Sequence, residues 1–129
     1  METGYTAKIV ESSREFSTKE RIAIKDIRNA TSLDVAVEPN SPMVVTPAEY
    51  AVVEIHNEKA KGDKDYTKYV IIDENGNKFY TGSTSFYRSF KEIWDEMKQE
   101  AAGEEFSIEC YKTESKNFPG KYFISCSIV

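Results

Sequence analysis

The sequence is poor in the residues that most active sites need. It has a single histidine, His56, and two cysteines, Cys110 and Cys126. One histidine excludes any site that requires two, and the cysteines lack the spacing to Cys or His that is typical of metal sites. The sequence also lacks a glycine-rich phosphate loop and a nucleophile elbow. We therefore expect no enzyme, no metal and no cofactor.

Long apolar runs are missing as well. No stretch approaches the roughly 18 apolar residues that a membrane span needs, and the N-terminus does not resemble a secretory signal. A protein of the cytoplasm without membrane contact is expected. The two cysteines flank a predicted hairpin near Phe118 and could face each other, but a reducing cytosol favours two buried thiols over a disulfide.

The charge is acidic in total but unevenly distributed. The 129 residues, enough for one domain, carry a net charge of −5. Residues 84–109 hold three basic and seven acidic side chains, whereas residues 112–121 hold three lysines and one glutamate. Residues 57–68 hold four lysines and three acidic side chains. The predicted loops are therefore basic, although the total charge argues against a protein that coats duplex DNA.

The N-terminal third gives weak signals. Residues 8–11 read as a short strand, and Ser17 with Glu20 has the spacing of a capping box before a helix at about 18–27. Residues 39–42 predict a turn, and Pro47 predicts a second break. We treat residues 1–45 as an N-terminal extension.

The remainder gives a clear order of elements. Strands are predicted at 51–55, 68–72 and 78–81, followed by an amphipathic helix that begins after the hydroxyls of residues 83–85 and ends before Gly103. Two further strands are predicted at 106–111 and 122–128. The order β-β-β-α-β-β is that of the five-stranded OB barrel. The prediction is one OB-type domain over residues 1–129, with the barrel at 48–129; a ubiquitin-like or other α+β roll is the alternative.

The Asn75-Gly76 pair predicts a two-residue hairpin turn. That register places Val70, Ile72, Phe79 and Thr81 on the core face. The opposite face then carries two tyrosines and a lysine among the residues Tyr69, Ile71, Asp73, Lys78 and Tyr80.

In OB folds, oligonucleotides lie on the outer face of strands 2 and 3, between the loops that join strands 1 to 2 and 4 to 5. Aromatic rings there stack on bases and lysines contact phosphates. The candidate residues are Tyr69, Lys78 and Tyr80 on the face, Lys59, Lys61, Lys64 and Tyr66 at the first loop, and Tyr111, Lys112, Lys116, Asn117, Phe118 and Lys121 at the second. Alternatively, the tyrosines pack on the N-terminal segment and the lysines are ordinary solvated side chains.

Three segments carry a family resemblance. SKNFPGKYF at 115–123, VEIHNEK at 53–59 and YVIID at 69–73 resemble single-stranded DNA-binding proteins of phages of Gram-positive bacteria. The resemblance implies an OB-fold homodimer or higher oligomer that coats single strands in phage replication or recombination. It also implies contact with phage or host recombination and replication proteins. On this resemblance, Lys116, Asn117 and Lys121 face DNA from the last loop and Tyr69 from the barrel.

The expected function is sequence-tolerant binding of single-stranded DNA. Tyr69, Tyr80 and Phe118 are then the stacking candidates, and Lys78, Lys116 and Lys121 are the candidate phosphate contacts. The alternative is a protein-interaction OB module of a replication complex, in which the acidic helix at 84–100 is the docking surface.

Overall fold

The structure is a computed structural model that describes residues 4–59, 61–100 and 104–129. Gly103, the predicted helix stop, lies outside the described residues. None of the described helices has the length and the apolar composition to cross a lipid bilayer. In chain order the elements are β1 (Tyr5–Ser12), α1 (Thr18–Lys25), a 3-10 turn (Ile27–Asn29), β2 (Thr31–Ser32), α2 (Leu33–Ala36), β3 (Met43–Val45), β4 (Pro47–Asn57), β5 (Asp65–Asp73), β6 (Lys78–Thr81), α3 (Thr84–Glu100), β7 (Ile108–Glu114) and β8 (Tyr122–Ile128).

The described strands form two sheets. The larger has the order β1-β4-β5-β6-β2, in which only the β2–β6 pair is parallel, and the smaller has the order β3-β7-β8. Thr46 alone separates β3 from β4, so the chain passes from the small sheet into the large one at this residue. The Thr46 hydroxyl lies 2.6 Å from the Ser107 hydroxyl beside β7, which joins the two sheets at the crossing point.

The predicted five-stranded barrel with one helix is wrong, because the fold is mixed α/β and neither sheet of the described residues closes. Closure of such a barrel would require β6 to pair with the last strand. Instead, β6 pairs with β2, and β8 pairs with β7. The residues treated as an N-terminal extension supply β1 and β2, which cover both edges of the large sheet, while α3 packs against β8.

Helix α3 covers one face of the large sheet. The Ser83 hydroxyl accepts a hydrogen bond from the Phe86 amide at 3.1 Å, which begins the helix as the sequence predicts. Apolar residues then recur at helical spacing, so that Phe86, Phe90 and Trp94 are buried against both sheets. Cys110 and Cys126 join this core as free thiols that lie opposite each other on β7 and β8. Burial raises the pKa of both thiols to about 12.

Helix α1 covers the opposite face of the large sheet. The Ser17 hydroxyl accepts from the Glu20 amide, and the Glu20 carboxylate accepts from the Ser17 amide, which confirms the predicted capping box. Phe16 and Ile24 pack on alternate residues of β4 and on Val70 of β5. Both faces of the large sheet are therefore buried along much of their length.

The predicted register of the β5–β6 hairpin is wrong by one residue. Ile71 lies opposite Phe79, and Val70 lies opposite Tyr80. The connection is a three-residue loop, in which the Asp73 carboxylate accepts from the amides of residues 75 and 77 and Gly76 adopts a φ of 85°. The Asp73 carboxylate thus accepts hydrogen bonds from amides of the turn. One of them, the amide of residue 77, would belong to the strand ladder in a two-residue turn. As a result, Phe79 and Thr81 share a face with Tyr69 and Ile71, whereas Lys78 and Tyr80 share a face with Val70 and Ile72. Thr81 is nevertheless buried and Phe79 packs on the core, as predicted.

Candidate nucleic-acid interface

Tyr69 is half-buried on the α3 side of the large sheet. Its ring stacks on the ring of Tyr87 from α3, with 4.3 Å between centroids and 9° between planes. Alternation along β5 places Tyr69 on the same face as the buried Ile71, and α3 covers this face, so the face predicted to be open is covered. One face of the Tyr69 ring is therefore already occupied by Tyr87.

Lys78 holds helix α1 to the sheet. Its ammonium group donates hydrogen bonds to the carbonyl oxygens of Ala23 and Asp26, and the second bond measures 2.6 Å. These oxygens belong to the last turn and the C-cap of α1, where carbonyl groups lack the amide partners of the helix interior; the Ala23 carbonyl also accepts from the Asp26 amide. Lys78 thus has a structural role in the free protein.

Tyr66, Lys68 and Tyr80 form a partly exposed patch on the α1 side of the large sheet, which we call the tyrosine–lysine face. The Lys68 ammonium nitrogen lies 4.4 Å from the Tyr80 ring centroid and 5.9 Å from the Tyr66 ring centroid. Both distances are within the range of cation–π attraction. The face brings together two residues that the sequence singled out and one, Lys68, that it did not. The signal for Lys68 is its position two residues after Tyr66 in the same strand, which puts both on one face.

On the described strands, the residues next to the tyrosine–lysine face carry no carboxylate, apart from Glu49 at its far end. The neighbouring described strand residues on the same face are Tyr5, Ala7, Val53, Ile55 and Asn57. Glu49 shares this face at its far end, and its carboxylate oxygen lies 2.5 Å from the Arg14 guanidinium. A phosphate that approaches Lys68 along these strands therefore meets no unneutralised acid.

The loop from residue 58 to residue 64, which we call the basic loop, borders the tyrosine–lysine face. Lys59 and Lys61 are exposed. Lys64 is also exposed but donates to the Glu58 carbonyl at 2.7 Å, and its ammonium nitrogen lies 3.9 Å from the Glu58 carboxylate. The loop closes at its base through the Asn57 amide, which donates to the Lys64 carbonyl at 2.7 Å.

The β7–β8 connection carries the second predicted group. Its tip, residues 115–121, exposes Lys116, Asn117, Phe118 and Lys121. Phe118 is 61% exposed, and the Lys121 ammonium nitrogen lies 5.6 Å from its ring centroid. The ring and the two lysines are therefore available to a ligand, as a stacking and phosphate-contact group requires.

Tyr111 and Lys112 lie on the strand that leads into this tip. The Tyr111 hydroxyl is 3.1 Å from the Ser127 hydroxyl on the outer side of the small sheet. Lys112 points to the other side of the sheet and donates to the carbonyl of Asp34. The structure therefore places these two candidates on opposite sides of the strand, with Lys112 engaged by α2.

Helix α3 carries a nearly balanced charge. Its sequence contains three basic residues and four acidic ones, and the other three acidic residues of the 84–109 block follow the helix. Lys91 and Asp95 form an ion pair at 2.6 Å. The excess negative charge that suggested a docking helix thus belongs largely to the segment after α3.

Comparison of the chain with protein-family models, with curated proteins and with solved structures found no match. The function is therefore argued from the site itself. Among the described residues, no group of three or more His, Cys, Asp or Glu side chains is arranged to hold a metal ion.

Proposed function

We propose that the protein binds single-stranded DNA through the tyrosine–lysine face and the basic loop that borders it, with the β7–β8 tip as a separate additional contact. The observation that carries the proposal is that the Lys68 ammonium group lies within cation–π distance of both the Tyr66 and the Tyr80 rings. Bases stack on the two rings, and the lysine meets the phosphate that links them. This arrangement provides both requirements of sequence-tolerant single-strand binding on one surface.

The distribution of charge supports a single strand over a duplex. Lysines lie around the face and in the two loops, while the chain as a whole is acidic. A duplex presents its phosphates over a broad surface and favours broad positive charge, whereas a single strand can follow a narrow basic path. The resemblance of residues 53–59, 69–73 and 115–123 to phage single-strand binders agrees with this proposal and suggests a role in phage replication or recombination in the host cytoplasm.

Titration of a fluorescent oligo-dT at low and moderate salt tests the proposal. We expect micromolar or tighter binding that weakens with salt. Tyr66→Leu and Tyr80→Leu should each weaken binding by about 1 to 3 kcal/mol, which is the contribution of one stacked base. Tyr66→Phe and Tyr80→Phe keep the ring and should bind like the wild type, provided all four variants have unchanged circular dichroism.

Lys68 has a matched control elsewhere in the chain. Lys98 on α3 lies over the Trp94 ring at 4.5 Å, in the same kind of cation–π contact as Lys68 over Tyr80. Lys68→Gln should weaken DNA binding and lower the slope of log affinity against log salt by about 1, which is the contribution of one phosphate contact. Lys98→Gln should leave both the affinity and the slope unchanged. Absence of wild-type binding at low salt, or equal loss in both variants, would contradict the proposal.

A further inference from the structure

His56, the only histidine in the sequence, is held between two carboxylates at the end of β4. Its Nδ1 atom lies 2.7 Å from Asp65 Oδ1, and its Nε2 atom lies 2.5 Å from Glu58 Oε1. Asp65 is the first residue of β5, and Glu58 is the first residue of the basic loop. One imidazole ring therefore joins the two ends of that loop.

While both carboxylates are ionised, both contacts can be hydrogen bonds only when the imidazole is protonated. A neutral imidazole has one N–H group, so its second nitrogen would present a lone pair to a carboxylate oxygen. An imidazolium donates from both nitrogens, and both bonds are then charge-assisted. The geometry therefore corresponds to the charged ring.

The charges around the ring favour the same state. The charged groups that face it are Asp65 from β5, Glu58 and Lys64 from the loop, Glu54 from β4 and Lys8 from β1. Three are acidic and two are basic, and the two acidic groups in direct contact dominate. The hydrogen bond to Asp65 and, to a smaller extent, the hydrogen bond to Glu58 raise the pKa of His56 above its ordinary 6.5.

Glu58 is also anchored from the other side. Its amide donates to the Gly4 carbonyl at 2.7 Å, and Gly4 adopts a φ of 83°. A side chain at position 4 would have its Cβ atom 3.0 Å from the Glu58 side chain. The start of the loop is thus fixed by the β1 end on one side and by His56 on the other.

We propose that His56 is a protonation-controlled clamp that positions the basic loop, so that the affinity for single-stranded DNA falls when the ring loses its proton. Two effects act in the same direction. Deprotonation removes one of the two hydrogen bonds that hold the loop. It also leaves the carboxylates of Glu58 and Asp65, which are 55% and 82% exposed, without their counter-charge at the two ends of the basic loop, whose lysines are proposed phosphate contacts.

The first test needs no DNA. Because His56 is the only histidine, its ring protons give one set of NMR signals, and we expect their titration midpoint above 6.5. Asp65→Asn and Glu58→Gln should each lower the midpoint, while Asp63→Asn, which changes an exposed loop carboxylate, should move it less than either. As the pH rises through the midpoint, the rate of amide hydrogen exchange at residues 57 and 58 should increase more in the wild type than in His56→Gln. A midpoint at or below 6.5 would overturn the clamp. Wild-type exchange rates equal to those of His56→Gln at every pH would overturn it as well.

The second test rests on the proposed function. Oligo-dT affinity should be about two- to fivefold lower above the midpoint than below it, the range expected for an exposed charge contact. The affinity of His56→Gln should change across the same pH range by a clearly smaller factor than that of the wild type. Wild-type binding that is equally strong on both sides of the midpoint would refute the positioning role. A failure to bind at either pH would refute the proposed function, while the NMR titration would still decide whether the clamp exists.

Discussion

The ring of Tyr69 on β5 stacks on the ring of Tyr87 on α3, and the Tyr87 hydroxyl donates to the Glu11 carboxylate on β1. Three elements that are distant in sequence thus meet through two tyrosines. Burial and the Glu11 carboxylate both raise the pKa of Tyr87, because each disfavours a phenolate at this position. Tyr69 consequently contributes to the joint between sheet and helix.

Substitution of Tyr69 should therefore affect stability more than DNA binding. Tyr69→Leu removes the stacked pair and should lower the free energy of unfolding by about 1 to 2 kcal/mol. Tyr69→Phe keeps the ring and should change it little. Urea denaturation measures the difference as a shift of the midpoint with an unchanged slope. A folded Tyr69→Leu protein that has wild-type stability but has lost DNA binding would contradict this assignment.

Lys78 is a second predicted site residue whose substitution should affect stability more than DNA binding. Lys78→Met removes the hydrogen bonds to the carbonyls of Ala23 and Asp26 at the end of α1 and should cost about 1 to 2 kcal/mol. Hydrogen exchange should increase in α1 while β7 and β8 remain protected. Lys59→Met, at an exposed loop position, is the matched control and should leave both exchange and stability unchanged. Equal exchange in the two variants would show that Lys78 does not hold the helix.

The docking of α1 should also weaken in acid. The Arg14 guanidinium and the Ser17 amide lower the pKa of Glu20 from 4.5 to about 2. A lowered carboxyl pKa adds stability that is complete above 4.5 and is lost as the pH falls towards 2. Glu20→Gln keeps a capping-box acceptor but removes the charge, so the acid limb of its stability curve should be flatter than that of the wild type. Parallel curves for the two proteins would contradict the contribution of the ion pair.

Several elements could be predicted from the sequence because their local signals agree. The hydroxyl of Ser83 and the spacing of Phe86, Phe90 and Trp94 define α3, and the predicted strands at 78–81 and 122–128 have the bounds of β6 and β8. The capping box at Ser17 is likewise a local signal. Such elements depend on neighbours within a few residues, which a sequence displays directly.

The arrangement of the sheets could not be predicted in this way. Val70 and Ile71 are both buried, on opposite faces of β5, so alternation could not decide which face of the hairpin was exposed. The register of β6 depended in turn on the three-residue loop, in which the Asp73 carboxylate accepts from the amides of residues 75 and 77. Strand β2 has two residues, too few for a periodic signal, yet its pairing with β6 occupies the edge that a closed barrel would need.

The β7–β8 tip provides a test of whether its lysines contact phosphates. Lys116→Glu with Lys121→Glu should weaken binding to all single-stranded sequences similarly, because phosphate contacts carry no base information. Loss of two such contacts should lower the slope of log affinity against log salt by about 2. Arg88→Glu with Lys98→Glu on α3 changes the net charge by the same amount at exposed positions of the helix, so any effect of total charge appears equally in both proteins. A larger loss in the tip variant locates the contact at residues 116 and 121, whereas equal losses would assign the effect to long-range charge and remove the tip from the interface.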